Sequence, residues 1–171
     1  MRELILGGAR SGKSRLAEKR AREHGGEVVY VATAEAGDGE MRARIEEHRR
    51  RRPAQWRTVE APRALAETLR QVAAPDGLVL VDCLTLWLGN LIEDDAALSA
   101  ERESLLSALP RLPGEIVLVS NEVGQGIVPD NALARRFRDE AGWLHQAVAE
   151  RCERATFVVA GLPVALKGGW A

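Results

Sequence analysis

Lysine is scarce in this chain. Its 171 residues hold 3 lysines, Lys13, Lys19 and Lys167, against 21 arginines. A motif that requires lysine therefore has three places to sit. Cysteine is scarcer still: Cys83 and Cys152 cannot make a disulfide framework, which points to a reducing compartment. Charge of one sign is not in excess, since 24 basic and 25 acidic residues leave a net charge of −1. That removes the basic footprint expected of a bulk nucleic-acid or anionic-membrane binder. Long hydrophobic runs are missing too. None approaches the ~18 residues a membrane span needs, and Leu4–Leu6 is too short for a secretory core. The expected location is the cytoplasm. With no internal repeat, low-complexity tract or linker, residues 1–171 read as one domain.

What is present alternates between strand and helix. Leu4–Leu6, Glu27–Ala32, Leu78–Asp82, Glu115–Ser120 and Thr156–Ala160 are apolar, largely β-branched runs, and Thr58–Val59 is a brief sixth. Helical patterns fall at about 12–23, 40–52, 63–73, 84–91 and 132–151. Glu93–Ser99 reads as a surface loop, and a Gly-rich tail follows the last strand. Near-continuous apolar strands separated by helices predict an α/β fold, a mostly parallel sheet covered on both faces.

Gly7-Gly8-Ala9-Arg10-Ser11-Gly12-Lys13-Ser14 matches G-x-x-x-x-G-K-[S/T] between a strand and a helix, the context that phosphate binding demands. Glycines let backbone N–H groups converge on phosphate oxygens, and the helix N-terminus adds partial positive charge. Lys13 is expected to reach the β- and γ-phosphates, and the Ser14 hydroxyl to ligate Mg²⁺. Asp82 ends an apolar strand at the edge where open α/β sheets bind ligands, so it is the expected second metal ligand; a helix N-cap is the plainer reading. No lysine has an aspartate two positions on, which disfavours a GTPase with an [N/T]-K-x-D guanine motif. The size suits a small-molecule kinase.

A second constellation runs from Glu40 to Pro53. Met41, Ile45 and His48 share one helical face, and Arg49, Arg50, Arg51 and Arg52 follow at once. Adjacent guanidiniums repel unless solvated or paired with anions. By spacing alone His48 reads more readily as structural than as catalytic. His24 reads as a helix C-terminal residue and His145 as packing or surface.

Taken together, Gly7–Ser14, Tyr30-Val31-Ala32-Thr33, Ala43-Arg44-Ile45…His48, Arg52-Pro53…Trp56-Arg57-Thr58, Asp82-Cys83-Leu84-Thr85 and Asn121-Glu122-Val123-Gly124…Gly126-Ile127-Val128-Pro129 resemble the bifunctional adenosylcobinamide kinase/adenosylcobinamide-phosphate guanylyltransferase family. The resemblance covers about Leu4 to Lys167. It implies a RecA-like P-loop NTPase fold, a homotrimer and two reactions. A nucleoside triphosphate, ATP or GTP, phosphorylates the aminopropanol hydroxyl of adenosylcobinamide. GTP then donates GMP to adenosylcobinamide phosphate. The resemblance makes His48 the residue that carries GMP covalently. It places nucleotide contacts on Gly7, Gly8, Ala9, Arg10, Ser11, Gly12, Lys13, Ser14, Ala32, Thr33, Ala34, Arg49, Arg50, Arg51, Arg52, Glu60 and Asp82. Neutral imidazole is a competent nucleophile near neutral pH, and the arginines suit a leaving pyrophosphate. Glu122 is open between a metal-side or general-base role and a structural hydrogen bond. Trp87 and Trp143 are expected to pack, with a corrinoid contact as the alternative. Cys83 is expected to be a buried, unreactive thiol. A monofunctional kinase and a non-catalytic nucleotide-dependent interaction protein are the rival readings.

Overall fold

The computed structural model of the chain describes residues 1–35, 50 and 52–169. Seven strands form one sheet: β1 Arg2–Gly7, β2 Val28–Ala32, β3 Arg57–Glu60, β4 Leu78–Asp82, β5 Glu115–Asn121, β6 Arg154–Val159 and β7 Leu162–Lys167. Their order is β3-β2-β4-β5-β1-β6-β7, and every pairing except β6–β7 is parallel. The helices bounded within the described residues are α1 Lys13–Glu23, α2 Leu65–Val72, α3 Leu84–Gly89, α4 Asp95–Ala108 and α5 Ala132–Arg151. A short 3-10 turn covers Leu109–Arg111.

The strand sequences explain the layering. Side chains alternate across a strand, so a run with no polar interruption buries both faces. Leu4, Val29, Val31, Val79, Val81, Ile116 and Leu118 join the core that α2, α3, α4 and α5 cover. Their neighbours Ile5, Val28, Tyr30, Leu78, Leu80, Val117 and Val119 point the other way, into the core that includes Ala17 and Ala21 of α1. Among the described residues the charged groups Glu3, Lys13 and Glu18 are buried. Glu3 is fully buried, accepts a hydrogen bond from Thr156 Oγ1 at 2.9 Å and faces Arg20 Nε at 3.6 Å.

Two stretches differ from the sequence expectation. Residues 95–99 begin α4 rather than a loop: Asp94 caps the helix by accepting from the Ala97 N–H at 3.0 Å, and Leu98, Leu105 and Ala108 bury one side. Small and charged residues dilute that apolar stripe in the sequence. The tail is not irregular either. Ala160 and Gly161 both take left-handed backbone, φ 52° and 78°, and so make the two-residue turn that folds β7 back on β6, Val159 opposite Leu162. On α5, Asn131 caps the start through the Ala134 N–H at 2.7 Å, Ala141, Leu144, Val148 and Cys152 are buried, and Ala134 and Phe137 are half-buried. Trp143, expected to pack, stands on the outer face and is 57% exposed. Trp87 does pack, and its indole N–H donates to Arg63 O at 2.7 Å.

Candidate nucleotide site

The carboxyl ends of the parallel strands line up the candidate residues. Glu60 lies opposite Ala32, Ala32 opposite Asp82, and Gly7 opposite Asn121. β5 separates the Gly7 strand from the Asp82 strand. It is also tied to the first, because the Glu122 N–H donates to Gly7 O at 3.0 Å.

Gly7 to Ser14 form a tight strand-to-helix loop. A Cβ on Gly7 would lie 2.4 Å from Ser11 Oγ and 2.8 Å from Val158 O, so only glycine fits. Gly12 takes φ 98°, left-handed backbone that favours glycine, and stands as the N-cap of α1. No side chain caps this helix and its first turn holds no acidic residue. Its N–H groups and partial positive charge are thus left to an anion. Lys13 is 8% exposed, and its Nζ donates to Gly8 O at 3.1 Å. Burial pushes this ammonium below its ordinary range, while the Asp82 carboxylate and Cys83 pull the other way. A buried cation beside open amides suits a polyphosphate.

Asp82 is held from the side. Tyr30 Oη donates to Asp82 Oδ2 at 3.1 Å, and burial together with that carboxylate pushes the phenol pKa up, so the phenol stays a donor. Behind it, Thr33 Oγ1 donates to Cys83 O at 2.7 Å and accepts from the Cys83 N–H at 2.8 Å. Asn90 Nδ2 donates to Thr33 O and Pro62 O, both at 2.8 Å, and so links the chain after β2 to the chain after β3. Asn121 Nδ2 reaches Thr85 Oγ1 at 2.9 Å. Burial lifts the Cys83 thiol to about 11, which keeps it unreactive as expected.

The remaining candidates divide. Arg52 lies over the Tyr30 ring, its guanidinium carbon 3.3 Å from the ring centroid. Arg50 and Glu60 are exposed. Ala34, and Arg10 with φ 56°, border the same edge. His48, Arg49 and Arg51, with most of the helix expected over 40–52, lie outside the described residues. Glu122 spends its carboxylate on its own loop, Oε1 accepting from the Gly124 N–H at 2.7 Å and Oε2 from the Gln125 N–H at 3.2 Å. That favours the structural reading.

The donor set fits Mg²⁺. Among the described residues no three His, Cys, Asp or Glu side chains cluster. Mg²⁺ bound with nucleotide needs no such cage: one carboxylate, a hydroxyl, phosphate oxygens and water are its usual shell. Asp82 and Ser14 supply the first two types.

Sequence reasoning missed several supporting hydrogen bonds, although His145 is buried in line with its packing reading. Ser120 Oγ and His145 Nε2 lie 2.7 Å apart in a buried pair joining β5 to α5. Asn90 and the Tyr30 hydroxyl were equally silent. Each is a polar residue whose partner is 25 or more positions away, so no local spacing marks it.

Comparison with known proteins bears on the fold and the family. The RadB recombinase crystal structure superposes with a TM-score of 0.53 at 18% identity, covering 91% of this chain and 73% of that one. The fold is accordingly that of a RecA-like P-loop NTPase. The bifunctional adenosylcobalamin biosynthesis protein CobP of Pseudomonas aeruginosa is 66% identical over 170 residues, 98% of each chain. CobU of Escherichia coli, with the same description, is 42% identical over 179 residues, covering 96% of this chain and 98% of its own. Residues 3–166 match a single family over nearly the whole chain, and the protein belongs to it: cobinamide kinase / cobinamide phosphate guanyltransferase.

Proposed function

We propose that this chain phosphorylates the aminopropanol hydroxyl of adenosylcobinamide with ATP or GTP, then transfers GMP from GTP to adenosylcobinamide phosphate, giving adenosylcobinamide-GDP and pyrophosphate. The observation that carries the reading is the strand–loop–helix at Gly7–Ser14, with buried Lys13 electrostatically coupled to Asp82, in a chain that belongs to this family.

In the kinase step the amides of the Gly8–Ser14 loop and Lys13 hold the β- and γ-phosphates, and Ser14 and Asp82 hold Mg²⁺. The metal, when bound, draws charge from the phosphate oxygens. Ala32, Thr33, Ala34 and Glu60 border the base and ribose. In the second step neutral His48 attacks the α-phosphorus of GTP and pyrophosphate leaves. A phosphate oxygen of adenosylcobinamide phosphate then attacks the same phosphorus and frees the imidazole. Arg49, Arg50, Arg51 and Arg52 neutralise the triphosphate and the departing pyrophosphate. We further assign residues 1–171 to one catalytic domain that works as a homotrimer in the cytoplasm. Self-association is supported by exposed apolar side chains such as Ile127, Val128, Leu162 and Leu166.

The test incubates the protein with adenosylcobinamide, Mg²⁺ and GTP labelled at the α- or γ-phosphate. Adenosylcobinamide phosphate and then adenosylcobinamide-GDP are expected by mass. Purified protein should retain α-label but not γ-label, in an acid-labile, alkali-stable linkage. His48→Ala should lose the label and the second product while keeping the first. Phosphorylated product without any α-labelled protein would leave a kinase alone, and α-label persisting on His48→Ala would remove His48 from the mechanism.

A further inference from the structure

Tyr30 is the single tyrosine of the chain, set in the middle of β2 and 2% exposed. Phenylalanine would fill the same volume, yet the residue carries a hydroxyl that needs a partner once buried. That partner is Asp82 Oδ2 at 3.1 Å. The Arg52 guanidinium carbon lies over the ring of the same residue, 3.3 Å from its centroid. One side chain therefore touches both the carboxylate assigned to the metal and the last arginine of the run after His48.

We infer that Tyr30 is a positioning residue shared by the two half-sites: its hydroxyl fixes the rotation of the Asp82 carboxylate for Mg²⁺, and its ring seats Arg52 for the nucleotide phosphates. The physical grounds are distinct for each half. A hydrogen bond to one carboxylate oxygen fixes which way the group presents its lone pairs, as outer-shell partners of metal ligands do. A guanidinium held over an aromatic face is already partly immobilised, so it loses little further freedom on binding phosphate. Arg52 Nη1 lies 3.5 Å from Thr58 Oγ1, which steadies the same pose from β3. The inference rests on the roles proposed above for Asp82 and Arg52.

The test measures GTP binding rather than turnover. Affinity is taken by titration calorimetry with Mg²⁺ and with EDTA, for wild type, Tyr30→Phe, Tyr30→Leu and Arg52→Ala, and Mn²⁺ occupancy is read by electron paramagnetic resonance. Wild type should bind GTP more tightly with Mg²⁺. Tyr30→Phe keeps the ring and the packing, so its affinity in EDTA should stay within twofold of wild type. Its gain from Mg²⁺ should shrink about tenfold, the low end of what losing an outer-shell partner costs. Tyr30→Leu should lose affinity in EDTA as well, to the level of Arg52→Ala. Because Tyr30→Phe preserves the core, the hydroxyl half stands or falls whether or not Tyr30→Leu folds. A Tyr30→Phe protein with the full Mg²⁺ gain and wild-type Mn²⁺ occupancy overturns the hydroxyl half. An Arg52→Ala protein with wild-type affinity in EDTA overturns the ring half. If wild type itself gains nothing from Mg²⁺, the metal role of Asp82 fails first and takes the hydroxyl half with it.

Discussion

The two ends of the same parallel strands treat their polar groups in opposite ways. At the amino end they are spent on each other. The Met1 ammonium donates to Gly114 O at 3.1 Å, Arg2 Nε to Leu109 O at 2.8 Å, and His24 Nε2 lies 3.1 Å from Asp76 O. At the carboxyl end the α1 N-terminus has no side-chain cap, and the buried Lys13 ammonium leans on one backbone carbonyl. Among the described residues four buried side-chain polar atoms lack a hydrogen-bond partner. Two of them, Glu3 Oε2 and Arg20 Nε, face each other as an ion pair. The other two, on Ser11 and Arg52, sit at the carboxyl end. A scaffold closes its own hydrogen bonds, because an unmade buried one costs about 1–3 kcal/mol. An edge that leaves them open is built for something that arrives.

Changes at the two ends should therefore read out differently. The largest effect is expected at the carboxyl end. Lys13→Ala removes the cation from the phosphate loop and should lower kinase turnover roughly 10²–10³-fold, the scale of losing one preorganised charge partner. Its melting temperature should hold or rise, since a poorly compensated buried charge is gone. A kinase rate near wild type would break the contrast. Glu3→Gln should do the reverse, costing about 2 kcal/mol in urea unfolding, below the 3–5 kcal/mol of a fully buried pair because Arg20 is partly exposed. GTP affinity should stay within twofold.

The smallest effect concerns the Ser120–His145 pair, which joins β5 to α5. Burial holds the His145 pKa below its ordinary value, with Glu122 opposing. The unfolded chain thus binds a proton there more readily than the folded one. Stability contributed by the neutral ring is complete above the unfolded value, about 6.5, and is lost as pH falls below it. Wild type should lose melting temperature between about pH 6.5 and pH 5 more steeply than His145→Gln. Parallel profiles would show that His145 carries no such linkage.

Legibility in the sequence followed locality. β4 and α5 could be read to within a residue because continuous apolar runs and a helical stripe are local patterns. The phosphate loop was legible for the same reason: its glycines, lysine and serine are contiguous and flanked by the right elements. α4 escaped because its buried positions are diluted, and β7 because the turn that makes it depends on a non-glycine residue, Ala160, taking left-handed backbone. Asp82 was legible as a strand end. Its partner Tyr30, and Thr33, which holds the next residue Cys83, act through contacts across 50 or more positions, where no periodicity reaches. His48 and its role came from resemblance, since spacing alone favoured a structural histidine.

The most direct test of the account is an amide map. Uniformly ¹⁵N-labelled protein is titrated with GTP and Mg²⁺, and backbone amide shifts are followed at both ends of the sheet. The account predicts the largest shifts at Gly8–Ser14, with Thr33 and Cys83 following, and little change at Gly25, Gly26, Asp76, Gly114 and Glu115. Saturable binding that moves the amino-end amides and leaves Gly8–Ser14 in place would contradict it.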